Sequence, residues 1–110
     1  MQETNDADTT PTHVETAADL DARIDAADRL LVEFYTDGCG ACAAMEPILG
    51  VVARETGVPV VTVNPRDDPA LIDEYRIESV PTLLLFEDGD PVRRLADGFV
   101  GAERVIDFLA

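Results

Sequence analysis

The residues Leu30-Leu31-Val32-Glu33-Phe34-Tyr35 form an apolar run broken by a single acid. A strand wetted on one face alternates apolar with polar, so a continuous run reads as a strand covered on both faces. Helices must then lie on both sides of its sheet, which makes the chain α/β. An acid inside such a strand is conspicuous, because Glu33 must be carried out of water with it. Thr36, Asp37 and Gly38 break the strand, and Cys42, Met45, Leu49 and Val52 then recur at helical spacing to about Arg54, with Gly57 as the stop. Pro47 lies within that helix, so a kink is expected near residues 43 to 47.

The other segments supply the remaining layers. Thr12 to Val14 can make a very short first strand. Thr16 and Asp19 form a helix start signal, Leu20, Ile24 and Ala27 recur on one face, and Asp19 to Arg23 and Asp25 to Arg29 are favourable i, i+4 pairs, which predicts a helix over about 17 to 28. Pro59 to Val63 reads as a second covered strand, and Asp68 with Pro69 as the N-cap and first-turn proline of a short helix ending at Tyr75. Thr82 to Phe86 is a strand, Asp88-Gly89 the hairpin signal, Val92 to Ala96 the returning strand, and Ala102 to Leu109 a closing helix. The fold class is α/β, a central mixed sheet of four to five strands flanked by about four helices. The domain spans 12 to 110, preceded by an acidic tail over 1 to 11 too polar to pack.

The 23 acids against 8 basic residues, all of them arginine, give a net charge of −15. A lysine-free acidic surface repels phosphate backbones and anionic headgroups, which excludes nucleic acid and membrane surfaces as partners. It suits a protein working in concentrated salt, where self-repulsion is screened. No stretch has the apolar length of a signal peptide or a membrane span, so the expected compartment is the cytoplasm.

In that reducing setting a close pair of cysteines is a redox or metal element rather than a staple. Cys39 and Cys42 bracket Gly40 and Ala41 at the start of a helix, where unpaired backbone N–H groups and the helix dipole favour thiolate. Cys39 on the turn is the nucleophile that forms a mixed disulfide; Cys42, one turn in and shielded, is the resolving thiol.

Three segments, Val32 to Cys42, Tyr75 to Phe86 and Glu87 to Asp90, together resemble thioredoxin, and the likeness runs from about Thr12 to Ala110. The resemblance implies a thioredoxin fold and a thiol–disulfide oxidoreductase acting on disulfide-containing proteins. It also implies a separate thioredoxin-reductase-type electron donor, a monomer, and no bound cofactor beyond the redox-active Cys39–Cys42 disulfide. It implies a cis Val80–Pro81 bond facing the cysteines, with Pro81 guiding substrate and excluding metal. A shallow groove for extended peptide would be formed by Gly38, Gly40, Ala41, Val80, Gly98 and Phe99. Glu33 stands where the family carries a buried aspartate and would accept the proton of Cys42.

Departures from the family bear on mechanism. Gly38 and Tyr35 stand in place of two tryptophans, Ala41 in place of the motif's proline, and Thr62 and Ala43 in place of flanking lysines. A flatter groove, a less reducing couple and a Cys39 thiol raised by Asp37 and Glu78 are expected, with turnover rising as salt increases. Alternatives from other classes are a non-catalytic binding module of the same fold, and soft-metal handling by cysteine pairs of two chains. His13 reads as a surface residue, and two cysteines and one histidine cannot build a four-ligand zinc site. The acids Asp21, Asp25 and Asp28 read as a solvated helix face, and Arg93-Arg94 as too short for a nucleic-acid patch.

Overall fold

The computed structural model describes residues 10–110. The tail expected over 1 to 11 therefore lies outside the described residues except for its last two. The element order is β1 (Thr12–Val14), α1 (Ala17–Ala26), β2 (Arg29–Phe34), α2 (Gly40–Thr56), β3 (Val60–Val63), α3 (Ala70–Tyr75), β4 (Thr82–Glu87), β5 (Asp90–Leu95) and α4 (Ala102–Leu109).

The five strands form one sheet in the order β1-β3-β2-β4-β5. β3 runs parallel to β1 and β2, whereas β4 runs antiparallel to β2 and β5. β2 therefore lies at the centre, as its apolar run demands, and every residue from Leu30 to Phe34 is buried. Because side chains alternate along a strand, β2 feeds two cores. Leu31 packs with Met45, Leu49 and Val52 of α2 and Val105 and Leu109 of α4. Leu30, Val32 and Phe34 pack with Leu20 and Ile24 of α1 and Leu71 of α3. The second core carries an aromatic trio, with Tyr75 5.7 Å by ring centroids from both Phe34 and Phe86.

Several local expectations shift by a residue or two. α1 ends at Ala26 rather than 28, β2 starts at Arg29 and leaves Tyr35 just beyond its end, and β3 starts at Val60. Thr16 caps α1 as its start signal requires, its Oγ1 accepting from the N–H of Asp19 at 3.0 Å. The helix pairs do not form. Arg23 donates instead to Thr12 Oγ1 at 2.7 Å, and Arg29 to Glu87 Oε2 at 3.1 Å, because each reaches a fixed acceptor on the sheet. α2 runs on through Pro47 and stops at Gly57, whose φ of 74° is the left-handed turn that glycine adopts at no steric cost.

Asp68 is not the cap of α3. Pro69 holds that position without a side-chain bond, while the Asp68 carboxylate accepts from the N–H of Ala17 at 2.8 Å and so caps α1. The hairpin turns at Asp88 and Gly89, both at positive φ, but β5 starts earlier than expected, at Asp90, and ends at Leu95. Pro91 is tolerated there because β5 is an edge strand.

Candidate functional site

Cys39 and Cys42 form a disulfide with their Cα atoms 5.2 Å apart, joining the turn after β2 to the first turn of α2. Cys39 is the N-cap of α2, and its Sγ accepts from the N–H of Cys42 at 3.1 Å. A donor left over at the helix start thus points at the first sulfur, where it would favour a thiolate. Cys39 is half-buried and Cys42 buried, the difference in access expected of an attacking and a resolving thiol.

The turn is built to expose that first sulfur. Gly38 sits at φ 79°, a conformation that L side chains rarely adopt, so the glycine in the aromatic residue's place is matched to the backbone. On the other side the Val80–Pro81 peptide is cis, as the resemblance implied, and the Val80 carbonyl oxygen lies 3.9 Å from Cys39 Sγ. The Thr82 hydroxyl donates to the Ser79 carbonyl at 2.6 Å and closes this loop. Pro81 has no N–H to offer, which leaves the Val80 carbonyl as the loop's polar group beside the sulfur.

The remaining groove residues divide. Gly38 joins the wall of a cavity beside the cystine, whereas Gly40 and Ala41 lie in the first turn of α2 outside it, and Gly98 and Phe99 lie in the exposed loop between β5 and α4. Phe99 is 49% exposed, a large apolar side chain offered to solvent.

The cavity holds about 560 Å³ and is walled by Glu33, Tyr35, Asp37, Cys39, Cys42 and Glu46 among others. Glu33 is 1% exposed, and its Oε2 has no hydrogen-bond partner. Burial, and secondarily the charge of Glu46, push its carboxyl up to about 8. At neutral pH it therefore holds a proton in the disulfide form. Register puts His13 opposite Thr62 and Thr62 opposite Glu33, a polar row across three strands on the α2 side of the sheet. His13 is exposed in β1, the short first strand expected over Thr12 to Val14, and it also lines the cavity, where its Nε2 meets the Tyr35 hydroxyl at 2.9 Å. Sequence reasoning missed the cavity and the Tyr35 contact, because the register of β1 cannot be read without its partner strand.

Among the described residues no group of three or more potential metal-ligating side chains is assembled, and no helix is long and apolar enough to cross a membrane.

The family model described as thioredoxin matches residues 11–110. A thioredoxin-like protein of Synechocystis is 39% identical over 82 residues, which cover 73% of this chain and 77% of that one. A thioredoxin of Porphyra purpurea is 36% identical over 75 residues, 66% of either chain. Among solved structures, a mutant thioredoxin from Halobacterium salinarum superposes with a TM-score of 0.84 at 31% identity, covering 90% of this chain and 87% of that one.

Proposed function

Because the chain belongs to the thioredoxin family and is a thiol–disulfide oxidoreductase with Cys39 and Cys42 as its redox pair, we propose that it reduces protein disulfides with Cys39 as nucleophile, Cys42 as resolving thiol and Glu33 as proton acceptor. The placement of Cys39 carries this reading: it is the half-exposed N-cap of α2, receives the Cys42 N–H, and faces the Val80 carbonyl. In the dithiol form the Cys39 thiolate attacks a substrate disulfide, forms a mixed disulfide and expels one substrate thiolate, which takes a proton from solvent. Cys42 then gives its proton to the Glu33 carboxylate and attacks Cys39 Sγ. The Cys39–substrate bond breaks, the second substrate thiolate leaves and takes up a proton, and two electrons have passed to the substrate.

The cystine so formed is reduced by two electrons from a separate reductase, and the proton held on Glu33 is then available to Cys42. A fit of Pro81 and Val80 to extended peptide, with Gly38, Gly40, Ala41, Gly98 and Phe99 around it, is part of the same reading. So are action as a monomer in the cytoplasm and adaptation of the acidic surface to concentrated salt. The test is turnover of a disulfide-bonded protein in molar salt for the native chain and Cys39→Ser. Equal rates would sink the proposal and favour a binding module.

A further inference from the structure

The cavity beside the cystine is walled by three acids, Glu33, Asp37 and Glu46, and its only basic lining residue among those described is His13, which is engaged with Tyr35. No described arginine lines it. Arg23, Arg29, Arg93 and Arg94 are all bonded to acceptors elsewhere. Among its lining residues is Glu33, whose Oε2 is buried and has no hydrogen-bond partner. Asp37 and Glu46 are exposed, and Gly38 and Cys39 share the same wall. A partner joined to Cys39 by a mixed disulfide therefore has its neighbouring side chains within reach of the cavity.

We propose that this cavity receives one lysine or arginine side chain of the protein partner docked on the cystine. About 560 Å³ admits such a side chain with accompanying water. Its N–H donors supply what Glu33 Oε2 lacks, and Asp37 and Glu46 attract its charge. The inference rests on the thiol–disulfide exchange reading and deepens it. A cation beside Glu33 favours the carboxylate, which is the form able to take a proton from Cys42. The titratable groups that share the cavity with that carboxyl are Asp37, Glu46 from α2, Tyr35 with its partner His13, and the two cysteines. None of these is a lysine or arginine, so an incoming cation offsets the acidic charge around Glu33. The acceptor becomes competent when a partner is seated.

The experiment uses the native chain and pairs of disulfide-containing peptides that carry either lysine or norleucine at one position, scanned over four places on each side of the cysteine. At one or two positions the lysine peptide should have kcat/KM about tenfold higher, the factor expected of one charge-assisted hydrogen bond. That ratio should shrink in Glu46→Gln, vanish in Glu33→Gln, and survive in large part in molar KCl, because a pair formed in a cavity is screened less than a surface pair. In parallel, n-butylammonium chloride should shift the Glu33 carboxyl carbon resonance saturably, and more tightly at pH 9 than at pH 7, since the cation pairs with the carboxylate. No lysine advantage at any position would overturn the proposal while leaving the exchange reading standing. It is equally overturned if the advantage disappears in salt and persists in Glu33→Gln, which marks a diffuse acidic field rather than a site. Failure of every peptide to turn over removes both.

Discussion

The two faces of the central sheet are built from the same strands and do opposite work. On the face toward α1 and α3, β2 contributes Leu30, Val32 and Phe34, and the layer is completed by the Phe34–Tyr75–Phe86 trio. On the face toward α2 and α4 the same strand contributes Leu31 and then Glu33, and the row opposite Glu33 runs through Thr62 to His13. One face devotes its residues to packing. The other gives up packing at its active-site end and borders a cavity beside the cystine, lined by Glu33 with its Oε2 unpartnered. Chemistry and stability are thus divided across a single sheet, and substitutions on the two faces should separate them.

The largest effect should come from the cystine. Cys39→Ser removes the attacking sulfur, so disulfide turnover should fall to the uncatalysed background while the circular dichroism of the folded chain is kept. On the opposite face the signs invert. Phe34→Ala removes a fully buried ring that packs on Tyr75 and should cost about 3–5 kcal/mol. That is a large share of the ~5–15 kcal/mol typical of a domain. Phe34→Leu should cost less, and in both variants turnover per folded molecule should stay near native. A denaturation curve paired with an active-fraction assay checks this, and a rate loss exceeding the unfolded fraction would break the division of labour.

Glu33→Gln tests the reactive face at intermediate size. Loss of the proton acceptor should slow the attack of Cys42 on the mixed disulfide by about 10²-fold or more, read by the lifetime of the trapped mixed disulfide. The same variant should change the pH dependence of stability. Glu33 in the folded disulfide form is raised from 4.5 to about 8, chiefly by burial. Between those values the folded chain keeps a proton that the unfolded chain has lost. Stability contributed by this group is therefore full below the unfolded value, falls as pH rises toward 8, and is level above it. Relative to Glu33→Gln, the native chain should lose on the order of a few kcal/mol between pH 5 and 8. Parallel curves for the two proteins over that window would mean that the carboxyl is paired in solution.

The sequence carried those features whose causes are local. A covered strand, a glycine stop, a Thr16 cap and an Asp-Gly turn each depend on a few consecutive residues, and each is found where its pattern stands, to within one or two positions. The cysteine pair and Glu33 were legible for the same reason, since a strand that buries its neighbours must bury Glu33 too. What escaped is pairing across distance. Asp68 has the spacing of a cap for α3, yet its carboxylate takes the N–H of Ala17, 51 positions away, a partner that only the tertiary fold brings to it. Arg23 and Arg29 had acids at helical spacing and took partners on the sheet instead. His13 read as solvent-exposed, and it is, but exposure says nothing of the cavity it borders.

The arginines supply the smallest and most discriminating prediction, because they tie the two faces together at the edge. Arg93 and Arg94 are neighbours on β5 and so point to opposite sides of the sheet. Arg93 donates to the Phe108 carbonyl oxygen at 2.8 Å and to a main-chain oxygen of Ala110 at 2.5 Å, at the end of α4, where Arg29 also donates to Leu109. Arg94 donates to the Tyr75 carbonyl at 2.5 Å, at the end of α3. Helix C-termini present unpaired carbonyls and the negative end of the helix dipole, so each guanidinium answers both at once. The bonds to Phe108, Leu109 and Tyr75 use carbonyls as acceptors rather than carboxylates. In a chain with an acid excess of 15 they give arginine a role that does not depend on ion pairing. Arg93→Ala and Arg94→Ala should each cost about 1 kcal/mol, with little effect on turnover. The cost should decline less in molar salt than that of breaking the exposed Arg104–Asp97 pair, which screening already weakens. Because the two variants release helices on opposite faces, Arg93→Ala should speed hydrogen exchange in α4, and Arg94→Ala in α3. If either variant loosened both helices equally, the faces would be one cooperative unit at this edge, and the separation of packing from chemistry would stop at the centre of the sheet.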